Sequence, residues 1–296
     1  MKILITGASG FVGNKVLAEL KQRYDSNDIL ALSSQKINGV KTIDANGYHL
    51  SEEYMNDHGC GDVDTLIHIG AFTPKDSSRA DDIANSTSNI NNTISLLESF
   101  KHLNKIIYIS TLDVFGNVEE TISEDTVTVP SSLYGWSKLY CEQVVKKYAL
   151  QKGIICQILR LGHVYGEGEE VYKKVMPVMI RKAIQGQDLH IYGDGKAIRT
   201  FIHIDDVAKA IVNSIELTNS ETINVVGSEQ VTIAELATMI RSLTGDLVDI
   251  KYIPSDIPNR DCIFDNSKLR RLLLKDFLPF KDGLKREYEY MRKVQS

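Results

Sequence analysis

Tyr134 and Lys138 stand four residues apart in the stretch SSLYGWSKLY, residues 131–140. On a helix, side chains at that spacing lie one above the other on one face, so a phenol and an ammonium would be neighbours. Such a pair can handle a proton. It can equally be a core-facing tyrosine beside a lysine whose stem runs along it to solvent. The local signals fit a helix start: Pro130 precedes it, Ser131 or Ser132 is placed to cap it, and Gly153 to end it. Gly135 falls in the first turn, where its propensity cost of about 1 kcal/mol is least felt. Spacing alone does not choose between the two readings, so the surrounding elements must.

A second group of residues with chemical meaning is ILITGASGFVGNKV, with Gly7, Gly10 and Gly13 directly after a strand and at the mouth of a helix. Glycines there permit a tight turn, close backbone approach to a pyrophosphate and close helix–strand packing. The helix start, through Ser9, Phe11 and Val12, offers free N–H groups and a positive dipole end to phosphates. A glycine triplet by itself is equally a plain βα turn; at the head of a long βαβ series it indicates a dinucleotide site. An acid about 20 residues on normally accepts the adenosine ribose of NAD. Here the second strand ends Leu32-Ser33-Ser34-Gln35-Lys36, without an acid. Ser33, Ser34 and Lys36 suit the 2′-phosphate of NADP better than a carboxylate would, so the reading leans to NADP over NAD; the alternative is that Lys36 is a solvated loop residue.

The elements that must position these groups alternate. KILIT (2–6), DILALS (28–33), VDTLIHI (63–69), KIIYIS (105–110) and IICQILRL (154–161) read as strands, with KTID (41–44) a further short one. Helical spacing fills the intervals between them. Nearly continuous apolar strands between helices indicate a parallel sheet covered on both faces. The expected fold is therefore α/β: a Rossmann-like, doubly wound parallel sheet followed by a smaller C-terminal α/β lobe. After Gly162 the rhythm loosens into a helix near 173–185, a strand IRTFIHI, a helix from about Asp205, a strand INVV (223–226), a helix from Thr232, a strand VDIKYI (248–253) and a last amphipathic stretch.

Bulk properties narrow the function. A net charge of −5 argues against general affinity for nucleic acid or anionic membrane. Cys60, Cys141, Cys156 and Cys262 form no CxxC pair and read as reduced thiols of a cytoplasmic protein. The apolar run at Met1–Ile5 stops at Thr6-Gly7, short of a secretory segment, and no later run approaches a membrane span. The histidines are scattered without ligand spacing, so no metal site is expected, and neither a nucleophile elbow nor a P-loop lysine occurs.

Taken in order, TGASGFVG (6–13), DTLIHIGA (64–71), NINNT (89–93), ISTLDVFG (109–116), YGWSK (134–138), RLGHVYG (160–166), IYGDG with IRTFIHIDDVA (191–208) and INVVGSEQVTIAEL (223–236) resemble the extended short-chain dehydrogenase/reductase family, within it the enzymes that modify nucleotide-linked sugars. The resemblance runs over essentially the whole chain. It implies residues 1–162 as an NAD(P)-binding Rossmann domain, with 199–217 returning to it, and 163–198 plus 218–296 as the nucleotide-sugar lobe.

The resemblance also implies roles. Tyr134 exchanges a proton with the sugar while hydride passes to or from the nicotinamide, Lys138 assists it and holds the nicotinamide ribose, and Thr111 bonds the reacting oxygen. An unperturbed phenol near pKa 10 is a poor base. Lowering it by about three units takes roughly 4 kcal/mol, which an ammonium one turn away and an oxidised nicotinamide are expected to supply. Asp44 matches an acid that contacts adenine, Gly70 and Ala71 small residues beside the cofactor, and Asn89 an asparagine beneath it. Arg199, Arg260 and His163 fall at substrate-contact positions. His68 and His203 read as structural.

Where dehydratases carry Asp-Glu after the threonine, this chain has Leu112 and Asp113, which disfavours water loss. His163 replaces an asparagine common in epimerases. The acid-free second strand and short second lobe tip the expected reaction to a 4-ketoreductase of a nucleotide-linked 4-keto-6-deoxy sugar. A 4-epimerase without net redox is the alternative, and a non-catalytic dinucleotide sensor a third. Relatives of this type often pair through two long helices, here NINNTISLLESF and Tyr134–Lys152, with Trp136, Tyr140 and Val144 as the stripe, so a homodimer is expected.

Overall fold

Period-two alternation in the first strand sorts its side chains onto two faces: Ile3 and Ile5 enter one buried cluster and Leu4 another. Both faces are therefore covered, as the unbroken apolar runs require. The structure, a computed structural model, describes residues 1–255 and 260–295. Its strands are β1 (Ile3–Thr6), β2 (Ile29–Leu32), β3 (Lys41–Ile43), β4 (Thr65–His68), β5 (Lys105–Thr111), β6 (Ile155–Leu161), β7 (His163–Tyr165), β8 (Leu189–Tyr192), β9 (Ile198–His203), β10 (Glu221–Val225), β11 (Gln230–Thr232) and β12 (Ile250–Ile253). Its α-helices are α1 (Phe11–Arg23), α2 (Glu52–Asp57), α3 (Ile83–Glu98), α4 (Leu133–Lys152), α5 (Val175–Ile184), α6 (Ile204–Asn213), α7 (Ile233–Leu243), α8 (Ser267–Leu272) and α9 (Phe280–Gln295).

Seven strands form one parallel sheet in the order β10-β6-β5-β4-β1-β2-β3. The chain leaves β1 toward β2 and returns to β4 on its other side, so the strand order reverses beside β1. In open parallel sheets ligands bind at such a reversal, in the crevice outside the carboxyl ends of the strands. One face is closed by α1, α6 and α8, whose Val16, Val207 and Leu269 share a cluster. The other is closed by α2, α3 and α4, through Met55, Leu96 and Val145.

The second lobe differs from the expected boundary. Residues 221–225, assigned from sequence to the nucleotide-sugar lobe, add the strand β10 to the main sheet beside β6. Leu269, Leu273 and Leu274 also join the main core. Of the returning segment 199–217, α6 packs on α1, whereas β9 lies in a separate three-stranded sheet, β11-β9-β7. Which sheet a strand joins depends on a partner far away in sequence. INVV carries the same apolar signal in either place. A third cluster around Met176, Phe201, Leu236 and Met291 forms the core of the smaller lobe.

The helix that carries Tyr134 and Lys138 is fixed at both ends and in the middle. Ser132 accepts the Gly135 N–H (3.1 Å), and Gly153 closes α4 in the left-handed conformation. In between, Glu142 is fully buried and takes two bonds from Arg160 of β6, at 3.0 and 2.8 Å, and one from Ser110 of β5 at 2.6 Å. Removing one partner of a buried ion pair leaves an uncompensated charge, typically about 3–5 kcal/mol. We expect Arg160→Met to lose about that much stability in urea unfolding, and Arg160→Met with Glu142→Leu to recover a large part of it. Equal losses in single and double variants would show that the pair does not act as a unit.

Candidate active site

At the crevice the ends of β1 and β4 nearly touch. Gly7 has φ +71°, and a Cβ on it would lie 2.7 Å from the Gly70 nitrogen. A Cβ on Gly13 would lie 2.0 Å from the Gly7 carbonyl oxygen, so α1 can seat on the turn only without a side chain there. Gly10 is different: it is exposed, and a Cβ would meet only the Gly7 oxygen, at 3.3 Å. Its outer face is open, and α1 begins there with no side-chain cap and no acid in the first turn. Ser9 is exposed beside it, and Phe11 and Val12 form the first helical residues. This uncapped, close-packed turn fits a dinucleotide pyrophosphate.

Thr6 stitches the two strand ends together. Its hydroxyl oxygen accepts the N–H groups of Ile69 (3.1 Å) and Gly70 (2.8 Å) and pairs with His68 Nδ1 at 2.8 Å. His68 Nε2 meets Thr93 at 3.1 Å, and Thr93 donates to the Asn89 carbonyl. Burial first, then the nearby Lys138, pushes the His68 imidazole down to about 3, so it is a neutral structural link.

The remaining positions expected to bind cofactor divide. Ala71 is exposed at the same edge, Ser34 and Lys36 are exposed beyond β2, and Asp44 is exposed after β3. Ser33 is buried and its hydroxyl accepts the Gln35 N–H at 3.1 Å. Asn89 does not lie open beneath the crevice. It is buried, and its carboxamide accepts the Phe72 N–H (2.7 Å) and donates to the Phe72 carbonyl (3.1 Å). It holds the segment after β4 in place, a use that its helix-surface spacing does not disclose.

Tyr134 and Thr111 converge, with Lys138 one turn further along α4. Thr111 ends β5, and Tyr134, nearly buried, sits in the first turn of α4 within hydrogen-bonding reach of the Thr111 and Thr73 hydroxyls. Gly135 permits this placement: a Cβ there would come 2.6 Å from the Asp113 carbonyl oxygen. Lys138 is 3% exposed, with its ammonium 4.4 Å from the centre of the Tyr108 ring. Burial lowers its pKa to about 8, with Cys141 and Glu142 acting the other way.

In the protein alone the phenol is not lowered. Burial, and next the charge of Asp113, raise the Tyr134 pKa, while Thr73 and Thr111 favour the phenolate. The rise is that of the protein alone, without the oxidised nicotinamide on which the expected lowering also draws. Thr73 and Asp113 were missed as site residues; Thr73 follows β4 and Asp113 sits in a short 3-10 turn after β5, and their approach to Tyr134 is purely tertiary. Asp113 accepts the Thr111 hydroxyl at 3.1 Å and is itself exposed.

On the far side, His163 carries a buried Nδ1 with no hydrogen-bond partner. Burial, then Arg199, Lys174 and Arg260, push its pKa down to about 4, so it is neutral. Arg199 donates to the carbonyls of Ile198 and Arg260, which brings the two arginines together. Lys174, at the start of α5, joins this cationic wall, and sequence gave no sign of it. Tyr172 stands 6.1 Å from the Phe11 ring and bears on Tyr134 as well, so the loop before α5 forms a second wall over the crevice. His203 instead caps α6, accepting the Asp205 N–H at 3.2 Å.

Residues 3–226 match the NAD-dependent epimerase/dehydratase family. The chain is 29% identical to the UDP-N-acetyl-alpha-D-glucosaminuronate decarboxylase of Bacillus cytotoxicus, over 100% of this chain and 99% of that one. It is 26% identical to a dTDP-4-dehydro-6-deoxy-D-allose reductase of Streptomyces, covering 98% of this chain and 96% of that one. The crystal structure of UDP-glucuronic acid 4-epimerase from Bacillus cereus, in complex with UDP-glucuronic acid and NAD, superposes with a TM-score of 0.84 at 27% identity, covering 99% of this chain and 100% of that one. The glycine turn at the strand-order reversal, the approach of Tyr134 to Thr111 with Lys138 next along α4, and these likenesses agree: the chain is an enzyme of the NAD-dependent epimerase/dehydratase family, the nucleotide-sugar-modifying group of the extended short-chain dehydrogenases/reductases.

Proposed function

We propose that this enzyme is a 4-epimerase of a nucleoside-diphosphate sugar, with NAD held on the Gly7–Gly13 turn. The observation that carries the reading is the Tyr134 phenol, bracketed by the Thr111 and Thr73 hydroxyls beside the buried Lys138. When bound, the nicotinamide supplies the hydride acceptor and, in its oxidised form, a positive charge. Tyr134 takes the proton of the sugar hydroxyl as hydride leaves the same carbon, and returns it when hydride comes back to the opposite face. Thr111 steadies the oxygen throughout. Arg199 and Arg260 grip the diphosphate, and neutral His163 offers its unpartnered nitrogen.

The NAD complex of the Bacillus cereus relative supports this choice of cofactor and reaction. A second reading, a 4-ketoreductase that uses NADPH, is favoured by the acid-free end of β2 with Ser34 and Lys36 exposed there, and by the Streptomyces relative. Purified protein that carries stoichiometric cofactor and interconverts UDP-sugars with none added supports the epimerase. Consumption of NADPH with a 4-keto sugar, and no interconversion, overturns it.

Trp136 (50% exposed), Tyr140 (54%) and Leu133 (40%) stand outward on α4, with Ile83 (72%) on the neighbouring α3. Exposed aromatic and aliphatic side chains in such a group favour a partner surface, and we assign it to a second copy of this chain. Trp136→Ser with Tyr140→Ser is expected to shift light-scattering mass from dimer to monomer; an unchanged mass removes this face from the interface. The four cysteines are all buried and free, which fits the reducing cytoplasm.

Two further outcomes follow from the site. Tyr134→Phe should lower kcat by about 10²–10⁴-fold with NAD affinity nearly intact; unchanged turnover removes Tyr134 from the mechanism. Lys138 is held at about 8 against an ordinary 10.5, so the folded state gives up its proton first. The unfolded chain binds more protons between those values, and stability from this group rises with pH across that window. Lys138→Met should therefore gain about 3 kcal/mol below the lower value, shrinking to nothing above the higher one, while activity falls. A destabilised variant in denaturant titrations across that range would contradict the cost assigned to the buried ammonium.

A further inference from the structure

Residues 166–174, between β7 and α5, touch both flanks of the strand-order reversal. On one flank they lie against Phe11, the first residue of α1. A Cβ on Gly168 would stand 3.1 Å from Phe11 Cδ2, and the Tyr172 and Phe11 ring centres are 6.1 Å apart. On the other flank the Lys173 N–H donates to the Lys75 carbonyl at 2.8 Å, in the segment that leaves β4 through Gly70 and Ala71. The segment thus runs from the cofactor turn at the end of β1 to the chain beyond β4.

Its near end is anchored by an ionic cluster. Glu167 accepts two bonds from Arg286 of α9, at 3.0 and 2.8 Å, and Arg286 also donates to Asp205 of α6 at 2.8 Å. Lys15 stands one turn beyond Phe11 on α1, 3.2 Å from Asp205 and 3.6 Å from Glu167. Two cations therefore meet two carboxylates, and one of those cations belongs to the helix that opens over the cofactor turn. Beside the cluster the Gly166 N–H donates to the buried Glu287 side chain at 3.2 Å, and Arg181 of α5 donates to the Glu170 carbonyl at 2.8 Å. All of these bonds run between groups of the chain, so they do not need the cofactor. A forked arginine–carboxylate pair is stronger than a single-point one, yet partial exposure keeps it able to open; Glu167 is 18% exposed and Arg286 42%.

We propose that residues 166–174 are a strap that slows the exit of the dinucleotide, and that Glu167 and Arg286 are positioning residues that set how often it opens. The proposal rests on the reading of the Gly7–Gly13 turn as the dinucleotide seat and adds a rate to it. Opening of such segments commonly limits how fast a bound molecule leaves. A reaction without net redox reuses one cofactor, and a strap fastened on both flanks serves that use. A reductase has to release its cofactor after every turnover, and there the same strap costs speed.

The test loads the protein with NADH, or with NADPH if that binds tighter, and mixes it with an excess of the oxidised form. Loss of the bound, fluorescent cofactor is timed for wild type, Glu167→Gln, Arg286→Gln and Arg286→Lys. Loss is expected to be about tenfold faster in the two Gln variants and intermediate in Arg286→Lys, which keeps one charged donor. Limited trypsin digestion reads the opening itself: cleavage after Lys173 or Lys174 should speed up by a like factor, with cleavage elsewhere unchanged. Circular dichroism identical to wild type shows that the variants are folded, which the partial exposure of both side chains favours. Cofactor loss at the wild-type rate in both Gln variants overturns the proposal. Faster loss with cleavage at the strap unchanged, or raised everywhere alike, overturns it too, and makes Glu167 and Arg286 general supports of the lobe with the dinucleotide reading intact. A wild type that binds neither NADH nor NADPH defeats that reading itself, and the strap with it.

Discussion

A buried ammonium at the carboxyl edge of the sheet is the constraint on which the rest of the site depends. Lys138 is nearly out of water, and the fold surrounds it with soft compensation: the Tyr108 ring face, the fields of Cys141 and Glu142, and a neutral His68 that adds no opposing charge. Holding an ammonium in such a place opposes folding, so α4 has to be secured elsewhere. The Glu142–Arg160–Ser110 cluster, the Ser132 cap and the left-handed Gly153 do that. The same helix then delivers Tyr134 to Thr111 at the end of the neighbouring strand.

The second constraint is the near contact of β1 with β4. Gly7 against Gly70, with Thr6 bonding across the gap, closes the floor of the crevice, and Gly13 lets α1 aim its open N-terminus over it. Cofactor turn and catalytic helix are thus placed by the same sheet, one on each side of the strand-order reversal. The smaller lobe contributes the opposite wall, with Arg199 on β9, Lys174 at the start of α5 and Tyr172 reaching toward Phe11. The sheet carries Thr111 and the helix with Tyr134 and Lys138, and the lobe carries the cations Arg199 and Lys174.

What could be read from sequence is what short-range chemistry encodes. The glycine turn, the start and end of α4 and the strand alternation each lie within a few residues of one another, and the structure forms them where expected. The position of INVV in the main sheet was not legible, because its partner β6 is some sixty residues away. Thr73, Asp113 and Lys174 were hidden for the same reason. Asn89 was legible as a residue of interest but not in its use, since only the fold brings Phe72 to it. For the Tyr134 phenol, spacing shows a neighbouring cation but not the loss of water, which raises it in the protein alone.

That last point defines the central claim: the phenol is raised in the protein alone, and it becomes a usable base only with the positive nicotinamide beside it. Phenolate absorbance, titrated against pH with and without NAD⁺ in wild type and Tyr134→Phe, measures this directly. The account requires one tyrosine, absent from the Phe variant, whose ionisation moves from above the ordinary value of about 10 to near neutrality when NAD⁺ is added. Identical titrations of the two proteins in the presence of NAD⁺ would contradict it.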